Sequence, residues 1–339
     1  MRTCILLSML LLFHPMAANS QSVTKVGTTA AGFLNIDVGA KAVGMGGAFV
    51  SVADDITAIY WNVAGIARLS QSQAMFTYSR WIADLSLHNT AIAFPMGNWG
   101  TLGAQATFLT IPDMERTTIL EPDGTGEEFS AGSYALGVCY ARNLTDRFSI
   151  GGTIKYVAEQ IYHSRAQGVA LDIGTLFTTP FHGLTMGMNI SNFGSKMQMA
   201  GRDLLTQTDI DPQIYGNNAN INAHLETDRY DMPLMFRVGI SMDVLKGRAD
   251  SHLILAVDAQ HPNDDVESLN VGGEYTYHEN YSLRAGYKSL FARDAHEGLS
   301  FGAGIQHQLM DRTTVVFDYA YLDFSVFTSV QLFSLRLLF

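Results

Sequence analysis

Beyond its first twenty residues, the 339-residue chain has no run of 18 apolar residues. A helical membrane span needs about 20, so a bilayer crossing by helices is excluded. Cysteine is almost missing: only Cys4 and Cys139 occur. Arg2, the apolar run Cys4 to Phe13 and the small residues Ala17, Ala18 and Ser20 give residues 1–20 the layout of an export signal, with cleavage expected after Ser20. Cys4 stands at the front of that run rather than behind it, so no lipid anchor is expected. Its removal leaves Cys139 alone, and an intrachain disulfide is then impossible.

Basic residues are scarce. The formal charge is -11, with 21 Lys and Arg against 32 Asp and Glu, and the loss of Arg2 makes the mature chain more acidic still. That balance disfavours nucleic acid and anionic membrane surfaces as partners. Catalytic motifs are lacking as well: the ten histidines are scattered, with no nucleophile elbow and no HExxH. His163-Ser164 beside Arg165 lacks a third partner in sequence. Asp209, Asp211, Asn217, Asn218 and Asn220 do not follow the calcium-loop spacing. No enzyme activity, cofactor or metal is therefore expected.

What the chain does have is alternation. Fourteen segments of period two run through roughly 72–81, 85–95, 98–110, 127–142, 146–160, 167–179, 183–193, 230–244, 250–260, 266–277, 280–288, 298–310, 312–323 and 327–339. In the last, Phe333, Leu335, Leu337 and Phe339 share one face while Ser334 and Arg336 share the other. A terminal strand of this kind needs a partner for its open edge, and the first strand of the same sheet supplies one if the sheet closes. The connections are sorted: those leaving even-numbered segments are short, whereas those leaving odd-numbered segments include 111–126 and 194–229, with 161–166 and 289–297 of medium length. Eight prolines, 31 glycines and the aromatics (19 Phe, 14 Tyr, 3 Trp) suit tight turns and an interface belt. The expected fold is all-β: a transmembrane antiparallel barrel of about 14 strands in the outer membrane of a Gram-negative bacterium, with both termini on the periplasmic side. Phe333, Leu335, Leu337 and Phe339 would face lipid and form a C-terminal signal for the barrel assembly machinery.

Residues 21–71 break the pattern and are expected to plug the barrel, leaving 72–339 as its wall. Asp54 or Asp55 is placed to cap a short helix through Trp61, with Asn62 to Gly65 as the turn that stops it. The face expected to line the lumen carries five basic residues, Lys155, Arg237, Arg284, Lys288 and Arg336. It also carries five acidic ones, Glu159, Asp172, Asp243, Glu274 and Asp318. Balanced signs point to ion pairs joining wall to plug rather than to an ion-selective pore.

One stretch goes further. Gly44-Met45-Gly46-Gly47-Ala48-Phe49-Val50 leads into Asp54-Asp55 and then Tyr60-Trp61-Asn62-Val63-Ala64-Gly65. On these residues the chain resembles the PorV/PorQ family of outer-membrane proteins, itself similar to the FadL fatty-acid transporters. Val63 stands where the family commonly has proline. The resemblance implies a plugged fourteen-stranded barrel working with the type IX secretion translocon and its secreted cargo, in cargo reception or surface attachment. The alternative is FadL-like transport of a hydrophobic small molecule, which would need an apolar pocket between plug and wall.

Overall fold

The computed structural model describes residues 27–339, apart from 212, 215, 217, 219, 247–249, 293, 294, 311 and 326–328. The expected export signal and residues 21–26 lie outside the described residues. No helix among the described residues is long and apolar enough to cross a membrane. The wall is a closed antiparallel barrel of fourteen strands. They are β1 Gln73–Arg80, β2 Ser86–Pro95, β3 Thr101–Thr110, β4 Ala131–Thr145, β5 Phe148–Ile161, β6 Ser164–Thr178 and β7 Thr185–Gly194. After the longest connection come β8 Met235–Asp243, β9 Ser251–Pro262, β10 Ser268–Tyr277, β11 Tyr281–Leu290, β12 Leu299–Met310, β13 Thr313–Leu322 and β14 Val330–Leu338.

Closure is made where the terminal strand meets the first. β14 pairs with β1 from Gln73 opposite Leu338 to Arg80 opposite Gln331, and Thr77 and Ser334 hydroxyls meet at 2.8 Å on the inner side of that seam. Closure removes both sheet edges, which in lipid would leave a row of amides without water. Along β14 burial alternates: Leu332, Ser334 and Arg336 are buried, while Phe333, Leu335 and Leu337 are exposed. The outward row is apolar around the wall, as at Phe76, Leu136, Ile154, Ile173, Leu283 and Phe301.

The strand starts that fall furthest behind the alternation are at Ala131 and Met235. Pro233 explains the second, since it has no amide to give a neighbouring strand. The medium connection expected at 161–166 is instead a tight turn: Ile161 pairs with Ser164, and Tyr162 takes a positive φ of 52°.

From Ala31 to Leu69 the chain is almost wholly buried inside the barrel. It contains the short α-helices α1 (Ala40–Gly44) and α2 (Ala58–Trp61) and 3-10 turns at Gly32–Asn35 and Val63–Arg68. Its first described residues sit at the long-loop end, where the Ala30 amide donates to the Asp231 carbonyl at 2.9 Å and Thr29 Oγ1 donates to Asp264 at 2.6 Å. Its last residues sit at the short-turn end, where Arg68 donates to Ser149 Oγ at 3.0 Å. Phe339 is at that same end, its amide 2.9 Å from the Ser72 carbonyl. Thr29 and Ala30 thus lie at the opposite end of the barrel from Phe339, because the segment between runs the length of the lumen; the N-terminus whose side the sequence reading assigns lies outside the described residues.

Candidate functional site

The interface between the lumen segment and the wall is where the chain concentrates its buried polar groups. It has two unlike halves. Toward β1–β7 the segment buries Phe33, Ile36, Ile56, Ile59 and Ile66 in one apolar cluster with wall residues such as Met75, Leu87, Cys139, Val157 and Leu176. Toward β10–β14 ion-pair networks join a smaller apolar cluster of Ala40 and Val43 with Ala320, Leu322 and Leu332.

In that ionic half Arg284 on β11 bridges Glu274 of β10 and Asp318 of β13, the latter at 2.7 Å. Asp318 is shared with Arg336 of β14 at 2.9 Å, and Arg336 reaches Asp55 of the segment, also at 2.9 Å. Lys41 of α1 completes the chain, 3.1 Å from Glu274 and 2.8 Å from Asp54. A second cluster joins Lys288 to Asp37 of the segment and to Glu297, each at 2.6 Å. Lys155 and Asp172 pair at 2.9 Å on the opposite side. Charges without water are tolerated only when paired, so wall and segment complete each other's networks.

Three expected members stand apart. Asp243 is held by His252 at 2.8 Å, away from the lumen clusters. Glu159 is half-buried and takes a backbone hydrogen bond from Ala31. Arg237 is buried but stacks on aromatic rings of the segment, 5.2 Å from the Trp61 ring centre and 5.8 Å from that of Tyr60. Lys41, Asp37 and Glu297 were not singled out in sequence, because none lies on an inward face of an alternating strand. Lys41 carried a usable signal, as a lone cation in the apolar stretch from Phe33 to Phe49.

The glycine-rich motif is explained by close approach of backbones. Gly46 has φ of +67°, and a Cβ there would sit 2.7 Å from the Tyr287 amide nitrogen. Inward wall positions facing the motif are glycine too: a Cβ at Gly272 or Gly286 would overlap Met45, and one at Gly302 would lie 3.1 Å from Gly44. Gly47 lies under the Trp61 ring. Trp61 is fully buried, with its Nε1 donating to the Val38 carbonyl at 2.9 Å. Asn62 donates to the carbonyls of Val50 at 2.7 Å and Thr175 at 3.0 Å, and accepts from Ala64 at 3.2 Å. It therefore begins the Val63–Arg68 turn as well as ending α2. Gly65 packs against Ala53 and Ala58 with no space for a side chain. Asp55 receives the Thr57 amide at 2.8 Å just before α2, whereas Asp54 turns to Lys41. Asp258 of β9, not anticipated, accepts from the Val50 amide at 2.7 Å.

A cavity between segment and wall, lined by Phe33, Leu34, Tyr60 and Lys155, holds about 20 Å³, room for about one water. At the rim, Ser164 Oγ donates to Asp203 and His163 Nδ1 lies 3.1 Å from the same carboxylate, so serine and histidine both address Asp203. Among the described residues no cluster of His, Cys, Asp and Glu is arranged to hold a metal. Asp209 and Asn218 instead accept amides two residues on, from Asp211 and Asn220. Asn217 lies outside the described residues.

A closed fourteen-stranded wall with an apolar exterior and a chain segment in its lumen defines a FadL-like barrel of the Gram-negative outer membrane. Three solved structures share that architecture. The CymD monoaromatic hydrocarbon channel matches at TM-score 0.55 and 12% identity, over 89% of this chain and 96% of its own. The Pseudomonas putida toluene transporter TodX matches at 0.55 and 12%, over 88% and 96%. A Pseudomonas aeruginosa FadL homologue matches at 0.53 and 13%, over 89% and 98%. At such identities the likeness is one of fold. No curated protein sequence matches the chain. The family model described as type IX secretion system protein PorV matches residues 18–202, more than half of the chain. The chain belongs to the PorV family.

Proposed function

We propose that this protein is a non-enzymatic, protein-binding component of type IX secretion, acting in reception of secreted cargo or in the surface-attachment complex. The observation that carries this reading is a lumen occupied along its length by residues 31–69, which leaves the long-loop end as the working surface. Two hairpins rise there, one from Met114–Glu115 paired with Glu128–Phe129 and one from Leu205–Thr208 paired with Ile221–His224. Ile119 is fully exposed and Leu120 nearly so, at 100% and 92%, and Leu205, Ile210 and Leu225 are exposed on the second hairpin and its flanks. Exposed aliphatic side chains on polar hairpins are suited to a protein partner. In this reading residues 27–71 serve as a plug, locked by the ion-pair clusters, that keeps the barrel from leaking.

Carriage of hydrophobic compounds through the lumen is the competing function; the cavity beside Phe33 and Tyr60, at about 20 Å³, is far below the several hundred Å³ of a small-molecule site. The test is a mild-detergent pull-down from outer membranes alongside a deletion strain. Recovery of translocon or cargo chains and loss of secreted proteins on deletion are expected. Normal secretion in the deletion strain overturns the proposal.

A further inference from the structure

Arg165 of β6 is a cation on the outward face of the wall, next to the turn at the long-loop end. Its neighbours fix that side: Ser164 and Ala166 are buried, whereas Gln167 and Val169 are exposed. Arg80 of β1 stands on the same outward row, reached through Ser86, Thr110, Gly132 and Gln160. The two arginines are unlike. Arg80 is exposed and paired with Asp84 at 2.7 Å, while Arg165 is half-buried and meets no carboxylate among the described residues.

Two tyrosines hold it instead. Arg165 Nη2 donates to the hydroxyls of Tyr134 on β4 and Tyr156 on β5, the latter at 2.9 Å. Its guanidinium lies 5.4 Å and 5.9 Å from the two ring centres. Tyr156 in turn donates to Gln167 Oε1 at 2.8 Å, and Phe108 of β3 stacks on Tyr134 at 6.3 Å. What remains on this patch is a set of donors: Arg165 Nη1, the Tyr134 hydroxyl proton and the Gln167 amide nitrogen take no acceptor among the described residues. Three donors around one unneutralised charge suit an anion. The depth is also defined, because the next outward row beyond Tyr156 toward the short turns is Val138, Ile154 and Leu171, all apolar and exposed. The arginine therefore sits where the apolar wall gives way to the polar rim.

From this geometry we infer that Arg165, Tyr134 and Gln167 bind the phosphate of a membrane lipid, in the leaflet bordering the long-loop end. The acyl chains lie along the Val138, Ile154 and Leu171 row, and the phosphate oxygens accept from the three donors above it. A phosphate monoester carries three strong acceptor oxygens, enough to meet all three donors, whereas a carboxylate has two oxygens and leaves one donor unmet. With a net charge of -11 the chain has no diffuse attraction for anionic lipid, so the contact depends on this built site.

The test is native mass spectrometry of the intact barrel in a non-ionic detergent, with phosphatidic acid, diacylglycerol of the same acyl chains, or the matching free fatty acid added at equal concentration. The phosphatidic acid adduct is expected several-fold above the other two and should persist in a large excess of inorganic phosphate. Arg165→Gln is expected to bring that adduct down to the diacylglycerol level, while Arg80→Gln leaves it unchanged. Tyr134→Phe, which removes one donor and is expected to lower the adduct in part, serves if Arg165→Gln does not show the heat-modifiable migration of a folded barrel. Equal adducts of phosphatidic acid and diacylglycerol, or an undiminished adduct in the folded variant, overturn the site. A fatty acid adduct as strong as that of phosphatidic acid overturns the choice of phosphate, and displacement by inorganic phosphate overturns a lipid as its source.

Discussion

Asn62 of the lumen segment donates to the backbone carbonyl of Thr175 in β6 at 3.0 Å, where Gly174 leaves no space for any side chain beside it. One amide thus ties α2, the turn that follows it and the wall together.

Asn62→Ala removes the donor to two carbonyls and the acceptor for Ala64. Each unmet buried group costs about 1–3 kcal/mol, so the variant should unfold at lower temperature in detergent, read as a lower transition in heat-modifiable gel migration. Gly174→Ala should do the same by displacing Asn62.

Wall glycines should divide by face. Gly272→Ala places a methyl on the Met45 carbonyl, a backbone atom that cannot swing away, whereas at Gly273 the nearest atom is the Leu255 side chain at 3.2 Å. Gly272→Ala should unseat the segment and expose it to limited proteolysis, and Gly273→Ala should leave the digest unchanged.

The ionic half is asymmetric in its sensitivity. Arg336→Met strands Asp55 and part of the demand of Asp318, and breaking a buried pair costs about 3–5 kcal/mol. Arg336→Met combined with Asp55→Asn should cost less than the sum of the two, with a coupling of about 0.5–3 kcal/mol in a double-mutant cycle.

On the lipid face, depth matters. Leu335 pairs with Phe76 and Phe317 near the middle of its strand, while Leu337 pairs with Ala74 and Val315 near the short-turn end. Arginine costs about 2–4 kcal/mol at the midplane and about 0–1 kcal/mol near the interface. Leu335→Arg should therefore impair barrel assembly more than Leu337→Arg, measured by the folded fraction in outer membranes.

At the rim, burial pushes the Asp203 carboxyl up, but hydrogen bonds from His163 and Ser164 outweigh it and hold the group below the usual carboxylate value. A depressed carboxylate stabilises above its unfolded pKa, and that contribution is lost as pH falls through the folded one. The His163 amide, which donates to Asp203 Oδ2 at 2.8 Å, should keep its hydrogen-exchange protection at neutral pH and lose it in acid, after correction for intrinsic rates. Asp203→Asn should weaken the neutral-pH protection.

Much of the wall was legible along the chain because a strand's faces follow from local alternation and a hairpin from its neighbours. Phe333, Leu335 and Leu337 declare their outward side by spacing alone, and the sorted connections declare one end of the barrel from the other. The glycine and Asn62 motif marked a special stretch without showing what it touches. Tertiary structure alone decided that Gly44 meets Gly302, that Lys41 meets Glu274, and that Arg336 reaches Asp55. Those pairs lie more than two hundred residues apart and depend on the path of the segment through the lumen and on the register of every strand between. Asp243 shows the limit of reading by face: its position alternates correctly, yet its height along β8 places it beside His252 rather than within the lumen clusters.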